Sequence, residues 1–215
     1  MVDAPANTML RSFMDIPGGQ RVVHAISVGS PQQVHYTYDL DKGALVQVWR
    51  GGFLDATPMW YSRGDGSSRP RGTVQRFGQP VLALAKLASA DAAWVMDTVG
   101  SGYTPKGYKI NRQDEPTFLY NLYGAQVSDA VRALNSGDGI EREITVQNGQ
   151  GLYLRLAESN SIEQAGNGWY VLDNQSYYIR LDDAGGAAAI IRNGANGRKE
   201  LIVPVQSKLR YSILF

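Results

Sequence analysis

Turn chemistry recurs through the second half of the chain at intervals too short for helices, and this restricts the fold more than any other feature of the sequence. Gly124, Ser136-Gly137-Asp138-Gly139, Asn148-Gly149, Asn167-Gly168 and the stretch 194–197 each separate short runs of alternating apolar and polar residues. Such pairs supply the positive φ angles that tight hairpins need. The runs they delimit are 108–111, 117–123, 126–134, 140–147, 152–157, 169–172, 177–181, 188–192, 201–205 and 209–215. Within them Ile140, Ile144 and Val146 alternate with Glu141, Glu143 and Thr145, and Leu152, Leu154 and Leu156 alternate with Tyr153 and Arg155. These are strands with one dry and one wet face.

The first half reads as a meander. Val22, Ile26 and Val28 share one parity, as do Val34, Tyr36 and Tyr38, and a third strand at 45–50 follows the turn Asp41-Lys42-Gly43. About a dozen short strands at this spacing predict an all-β antiparallel sandwich, a single domain over 11–215 behind a flexible arm at 1–10. One helix is expected at 80–95, where Pro80 precedes Val81, Leu84 and Leu87 at near-helical spacing. Residues 53–78 lack a sustained period and read as a long functional loop, and 100–107 reads as a second loop. The expected core comprises Val22, Ile26, Val28, Phe118, Tyr120, Ile144, Leu154, Leu156, Ile179, Leu181 and Ile213.

Composition removes several classes of function. Lys plus Arg number 21 against 20 Asp plus Glu, with no block of like charge, so nucleic acid is not an expected partner. Zero cysteines exclude thiol catalysis, thiolate metal sites, disulfides and covalent haem. The most apolar stretch, 80–96, contains Lys86 and Asp91 and is too short to span a bilayer. No G-x-G-x-x-G, phosphate loop or G-x-S-x-G is present, so no cofactor is expected. Two histidines are too few for a His-rich metal site, although Asp65, Asp138, Asp182 or Asp183 could contribute to a calcium site without EF-hand spacing. The opening Met1-Val2-Asp3-Ala4-Pro5 has neither the basic nor the apolar region of a signal peptide. The expectation is therefore a cytosolic protein or a leader outside this sequence.

Candidate site residues concentrate where the third strand runs into the long loop. Trp49, Arg50, Asp55, Trp60 and Arg63 combine aromatic faces with groups that bridge hydroxyls, the pattern of sugar recognition. The competing reading has Trp49 and Trp60 closing the core while the arginines pair with Asp55 and Asp65. The echo Tyr153-Leu154-Arg155-Leu156 and Tyr178-Ile179-Arg180-Leu181 offers a second surface if the two strands lie together. His24 shares the parity of Val22, Ile26 and Val28 and reads as a buried histidine. His35 shares a polar face with Thr37 and Asp39 and reads as an accessible acid or base, or as a solvated strand residue. Because 35 and 39 lie about 13 Å apart at roughly 3.3 Å per strand residue, its carboxylate partner would come from elsewhere, such as Asp55 or Glu143. Glu141 and Glu143 themselves read as a solvated face.

Five phrases carry a resemblance: Ala25-Ile26-Ser27-Val28-Gly29, Val34-His35-Tyr36-Thr37-Tyr38-Asp39, Trp49-Arg50-Gly51-Gly52-Phe53-Leu54-Asp55, Pro116-Thr117-Phe118-Leu119-Tyr120 and Arg210-Tyr211-Ser212-Ile213-Leu214-Phe215. Together they resemble an uncharacterised β-rich module of secreted bacterial proteins, one that accompanies c-type cytochrome domains and sugar-dehydrogenase-like or sugar-hydrolase-like modules. The likeness runs from about Arg11 to the C-terminus and carries no catalytic residues. It implies a periplasmic or extracellular setting, carbohydrate as ligand, and a cytochrome c or sugar dehydrogenase domain as partner. Lacking Cys-x-x-Cys-His, the chain holds no covalent haem, so a redox role would belong to a neighbour. Three readings follow: a carbohydrate-binding or accessory module; a sugar epimerase, lyase or hydrolase using His35 with Asp39 or Asp55; and a structural module that docks the redox partner.

Overall fold

A computed structural model describes residues 1–61 and 64–215. The fold is all-β and antiparallel, with the described strands in three sheets. The first contains β1 (Thr8–Met14), β2 (Val22–Gly29), β3 (Val34–Asp39), β4 (Ala44–Asp55) and β5 (Arg69–Arg76) in chain order. Eight strands form the second. They are β7 (Thr104–Ile110), β8 (Pro116–Leu122), β9 (Ala125–Ala133), β10 (Gly139–Gln147), β12 (Ile162–Gly166), β13 (Trp169–Leu172), β14 (Tyr177–Asp183) and β17 (Lys208–Leu214). They lie in the order β12-β13-β14-β17-β10-β9-β8-β7. The third sheet is β15-β16-β11-β6, built from β6 (Leu84–Lys86), β11 (Leu152–Ser159), β15 (Ile190–Asn193) and β16 (Lys199–Val205).

One apolar cluster draws on all three sheets. Ile26, Tyr36, Tyr38 and Val48 come from the first, Phe118, Ile144 and Ile213 from the second, and Leu84, Leu154 and Val203 from the third. Of the expected core residues only Leu181 stays half-buried.

At its centre, in β3 and the first half of β4, the first sheet buries both of its faces. A parallel bridge joins Met14 to Ser68, the Ser68 N–H donates to the Phe13 carbonyl, and the Ser12 and Ser68 hydroxyls lie 2.7 Å apart. β1 thus meets the chain just before β5, and the sheet curls around a second cluster that includes Met14, Val22, Val46, Trp49, Phe53 and Leu54. On β3, Val34, Tyr36 and Tyr38 therefore face the main core while His35, Thr37 and Asp39 face the curl, and all six are buried. Hydroxyls and an amide fill polar positions there: Ser27 and Thr37 lie 3.1 Å apart, and Gln47 Nε2 donates to Thr37.

A buried ion pair joins the first two sheets. Asp129 of β9 and Arg142 of β10 occupy inward positions, with side chains 0% and 3% exposed. Arg142 Nε and Nη2 each donate to Asp129, at 2.9 and 2.6 Å. Tyr38 Oη of β3 donates to Asp129 Oδ2 at 2.7 Å, and its ring stacks on Phe118 at 3.9 Å. Tyr36 Oη reaches the Val131 carbonyl, and Arg142 Nη1 donates to Tyr211 Oη of β17. Every charge in this buried pair is hydrogen-bonded, the condition under which burial of ions is tolerated.

Four expectations are corrected. No helix forms at 80–95; instead β6 pairs with Leu152–Leu154 of β11. Leu82 and Leu84 enter the main core, whereas Ala85, Leu87 and Trp94 form a separate cluster with Ile202. A strand satisfies two apolar faces; a helix with a single stripe does not. Trp94 pins the segment, its indole donating to the Leu82 carbonyl and its ring lying under the guanidinium groups of Arg155 and Arg192. The arm at 1–10 is held, since β1 begins at Thr8 and Val2 bridges Leu54. The loop at 53–78 shortens to 56–68, because β4 runs to Asp55 and β5 begins at Arg69. The loop at 100–107 gives way to β7.

Removing one partner of the buried pair leaves an uncompensated charge, so Asp129→Ala should cost about 3–5 kcal/mol. The double change Asp129→Leu with Arg142→Met should cost far less than that single change. Urea unfolding of the two variants measures the difference, and a double variant as unstable as Asp129→Ala would contradict this account.

Candidate binding groove

The loop at 56–68 presents the most exposed aromatics of the chain. A short 3-10 turn, Thr57–Trp60, begins with Pro58 near its start, and Asp55 accepts the Thr57 N–H at 2.9 Å. These hydrogen bonds to Thr57 hold the Asp55 carboxyl below its usual range. The turn leaves Trp60 85% and Tyr61 67% exposed. Met59, directly before them, and Gly64 border a groove of about 330 Å³ that continues over Arg11, Phe13, Val23 and His24. Its size sits at the lower end of ligand pockets, which run to roughly 300–1,000 Å³.

His24 was expected in the core. β2 and β3 pair from Ala25 and Asp39 onward, so His24 lies beyond the last ladder pair, where the Leu40 N–H donates to its carbonyl. Its side chain, 44% exposed, meets the turn carboxylate of Asp41, with Nδ1 2.7 and 2.9 Å from the two oxygens. Asp41 also lines a small crevice of about 180 Å³ that reaches Asp39. Burial raises the Asp39 carboxyl, while the Asp41 N–H that it accepts works the other way.

His35 has the opposite fate. It is 2% exposed, packed at a tilt against the stacked rings of Trp49, at 5.4 Å, and Phe53, at 5.3 Å. Nδ1 accepts the Ser30 N–H at 3.1 Å, which fixes the proton on Nε2, and Nε2 donates to the Gly51 carbonyl at 2.9 Å. Gly51 lies at φ +118°, a conformation open to glycine and strained for other residues. The expected wet face is therefore dry. Parity places His35, Thr37 and Asp39 together, but the curl of the sheet covers them. Neither Asp55 nor Glu143 reaches the imidazole.

The remaining candidates are dispersed. Trp49 is fully buried, its indole donating to the Gly52 and Phe53 carbonyls. Arg50 points to the other face, over the Phe215 ring and 4.0 Å from Asp138. Arg63 lies outside the described residues. Tyr153 and Arg155 belong to the third sheet, where Arg155 pairs with Glu158 and Glu200. Tyr178 and Arg180 belong to the second, with Arg180 on Asp182, Ser212 and the Trp169 ring. The four do not form one patch, because β11 and β14 lie in different sheets. Among the described residues no group of three or more His, Asp or Glu side chains is placed to hold a metal ion. Among the described residues no helix is long and apolar enough to cross a membrane.

Comparison with family models, with curated proteins and with solved structures found no match to this chain.

Burial lowers the His35 pKa, opposed by its hydrogen bond to Gly51. An unfolded histidine titrates near about 6.5, so below that pH the unfolded chain takes up a proton that the fold resists. The contribution of His35 to stability is complete above pH ~6.5 and declines as pH falls toward the lowered folded value. Unfolding free energy should therefore drop between pH 7.5 and 5.5, and His35→Asn should flatten that drop while costing about 1–3 kcal/mol in lost hydrogen bonds. Asp39, with its raised pKa, acts with the opposite sign in the acid range, and it is common to both proteins. An identical pH slope in both would contradict the assignment.

Proposed function

We propose that this protein is a carbohydrate-binding or accessory module of an extracytoplasmic sugar-processing or redox system, and that it takes sugar at the groove beside Trp60. The observation that carries the reading is the exposed pair Trp60 and Tyr61, set by an anchored turn next to a groove with polar groups at its rim. Aromatic faces supply apolar area to the C–H side of a sugar ring. Arg11 and the His24–Asp41 pair offer donors and acceptors for its hydroxyls. A c-type cytochrome or sugar dehydrogenase domain as neighbour belongs to the same proposal.

A sugar-active enzyme is the second reading, and one observation favours it. The half-exposed His24, oriented by Asp41 and bordering the groove, has the arrangement of an acid–base group held by a carboxylate. The catalytic role proposed for His35 with Asp55 finds no such support. Docking of a protein partner is the third reading, favoured by the exposure of Val23, at 47%, on the groove that Met59 also lines.

Calorimetry against plant and algal oligosaccharides tests the first reading. Trp60→Ala should weaken binding about three- to tenfold, as expected for loss of one stacking contact worth ~0.5–1.5 kcal/mol. Because Trp60 is exposed, the unfolding midpoint should stay within about 0.5 kcal/mol of the parent. Absence of binding to any glycan at millimolar concentration would reject the module reading. Turnover abolished by His24→Gln would favour the enzyme.

A further inference from the structure

The outward face of the eight-stranded sheet is organised into rows. Strand register sets Asn121, Gln126 and Gln147 side by side across β8, β9 and β10. Two residues along, Leu119, Ser128, Thr145 and Lys208 form the next row. Beyond it come Thr117, Ala130, Glu143 and Arg210. Neighbours within a row stand about 4.8 Å apart and rows about 6.8 Å apart. Two depressions, of about 280 and 300 Å³, lie on this face and share Ser128 and Thr145, so they form one trough.

The charges of the trough are uneven. Glu143 pairs with Lys208 at 2.7 Å, Glu141 lies 3.8 Å from Arg210, and Arg132 pairs with Glu115. Along the β7 edge Lys106 and Lys109 line the depression that holds the Asn121 row, Lys106 in the bulge between Pro105 and Tyr108 and Lys109 opposite Thr117. Among the described residues neither lysine meets a carboxylate within 4.0 Å, and the side chains of Asn121, Gln126, Ser128, Thr145 and Gln147 form no hydrogen bond within the chain. The surplus positive charge thus runs along the β7 edge of a depression that also holds the unengaged amides.

We infer that this trough binds an extended glycan chain bearing carboxylates, a polyuronate, with its acid groups on Lys106 and Lys109 and its hydroxyls on the amide row. The inference rests on the carbohydrate reading above but uses other residues on another sheet. Single-stranded nucleic acid is disfavoured, because such sites stack bases on exposed aromatic platforms, and the aromatic that lines the first depression, Tyr120, is buried in the core at 3% exposure. A protein partner is disfavoured as well, since Ser128 and Thr145 sit where an interface would be apolar.

Calorimetry of the full chain with an oligogalacturonate, a neutral β-glucan oligomer and a single-stranded oligonucleotide tests the assignment. The oligogalacturonate should bind, weakened by added salt and reduced about tenfold by Lys106→Gln with Lys109→Gln, two exposed charge contacts. Asn121→Ala with Gln147→Ala should weaken the same complex, and Trp60→Ala should leave it unchanged. No binding of the oligogalacturonate, or binding indifferent to the lysine pair, would overturn the proposal. So would oligonucleotide binding of equal strength lost in the same variant, which would show a general polyanion surface. Loss of the neutral oligomer in Trp60→Ala alone bears on the groove, so the two sites succeed or fail separately.

Discussion

The rest of the structure depends on the carboxylate of Asp129. It sits fully buried where the first sheet meets the second and takes hydrogen bonds from Arg142 and from Tyr38. In a wholly apolar joint the two sheets could slide against each other at small cost, whereas a buried pair tolerates only the register that satisfies every donor. That fixed joint has a functional consequence. It sets the curled first sheet, with the Trp60 groove on it, against the inner face of the second, and leaves the outer face of the second free.

The two histidines show how burial decides chemistry. His35 sits in the middle of a strand, and the curl of the sheet brings Trp49 and Phe53 against its ring, so both nitrogens are spent on backbone groups. His24 sits one residue beyond the ladder, and the turn that follows β3 brings Asp41 to it while its ring stays half-exposed. The same side chain is a structural bolt in one place and a half-exposed, carboxylate-paired imidazole in the other.

Much of the fold was legible in the sequence wherever one face of a strand is dry and the other wet. β8 to β11 alternate cleanly, and their turns carry Asn-Gly, Asp-Gly or glycine. β7 was legible only in its second half, at 108–111: all seven of its residues are exposed, so no alternation marks where it begins. Residues 80–95 misled because their apolar residues serve two cores on opposite sides, a pattern that approximates helical spacing over a short window. Parity placed His35 and Thr37 on one face correctly, but nothing local reveals that the far end of a sheet returns to cover that face. The repeated Tyr-x-Arg-Leu phrases likewise record local composition, while pairing partners are chosen at long range. Trp60 was named from its loop, and it stands 85% exposed. Opposite charges at inward positions of neighbouring strands, Asp129 and Arg142, were a readable signal of the joint that went unused.

The four tryptophans allow the central claim to be tested in one experiment. Trp49 and Trp94 are buried with indole N–H groups bonded to carbonyls, Trp169 lies under Arg180, and Trp60 alone stands in solvent at 85% exposure. In a ¹⁵N-labelled sample each indole gives a separate N–H resonance, so titration with a neutral oligosaccharide reports which ring meets the sugar. The account predicts that the Trp60 resonance shifts progressively while those of Trp49 and Trp94 stay in place. A Trp60 resonance that does not move at saturating sugar would contradict it.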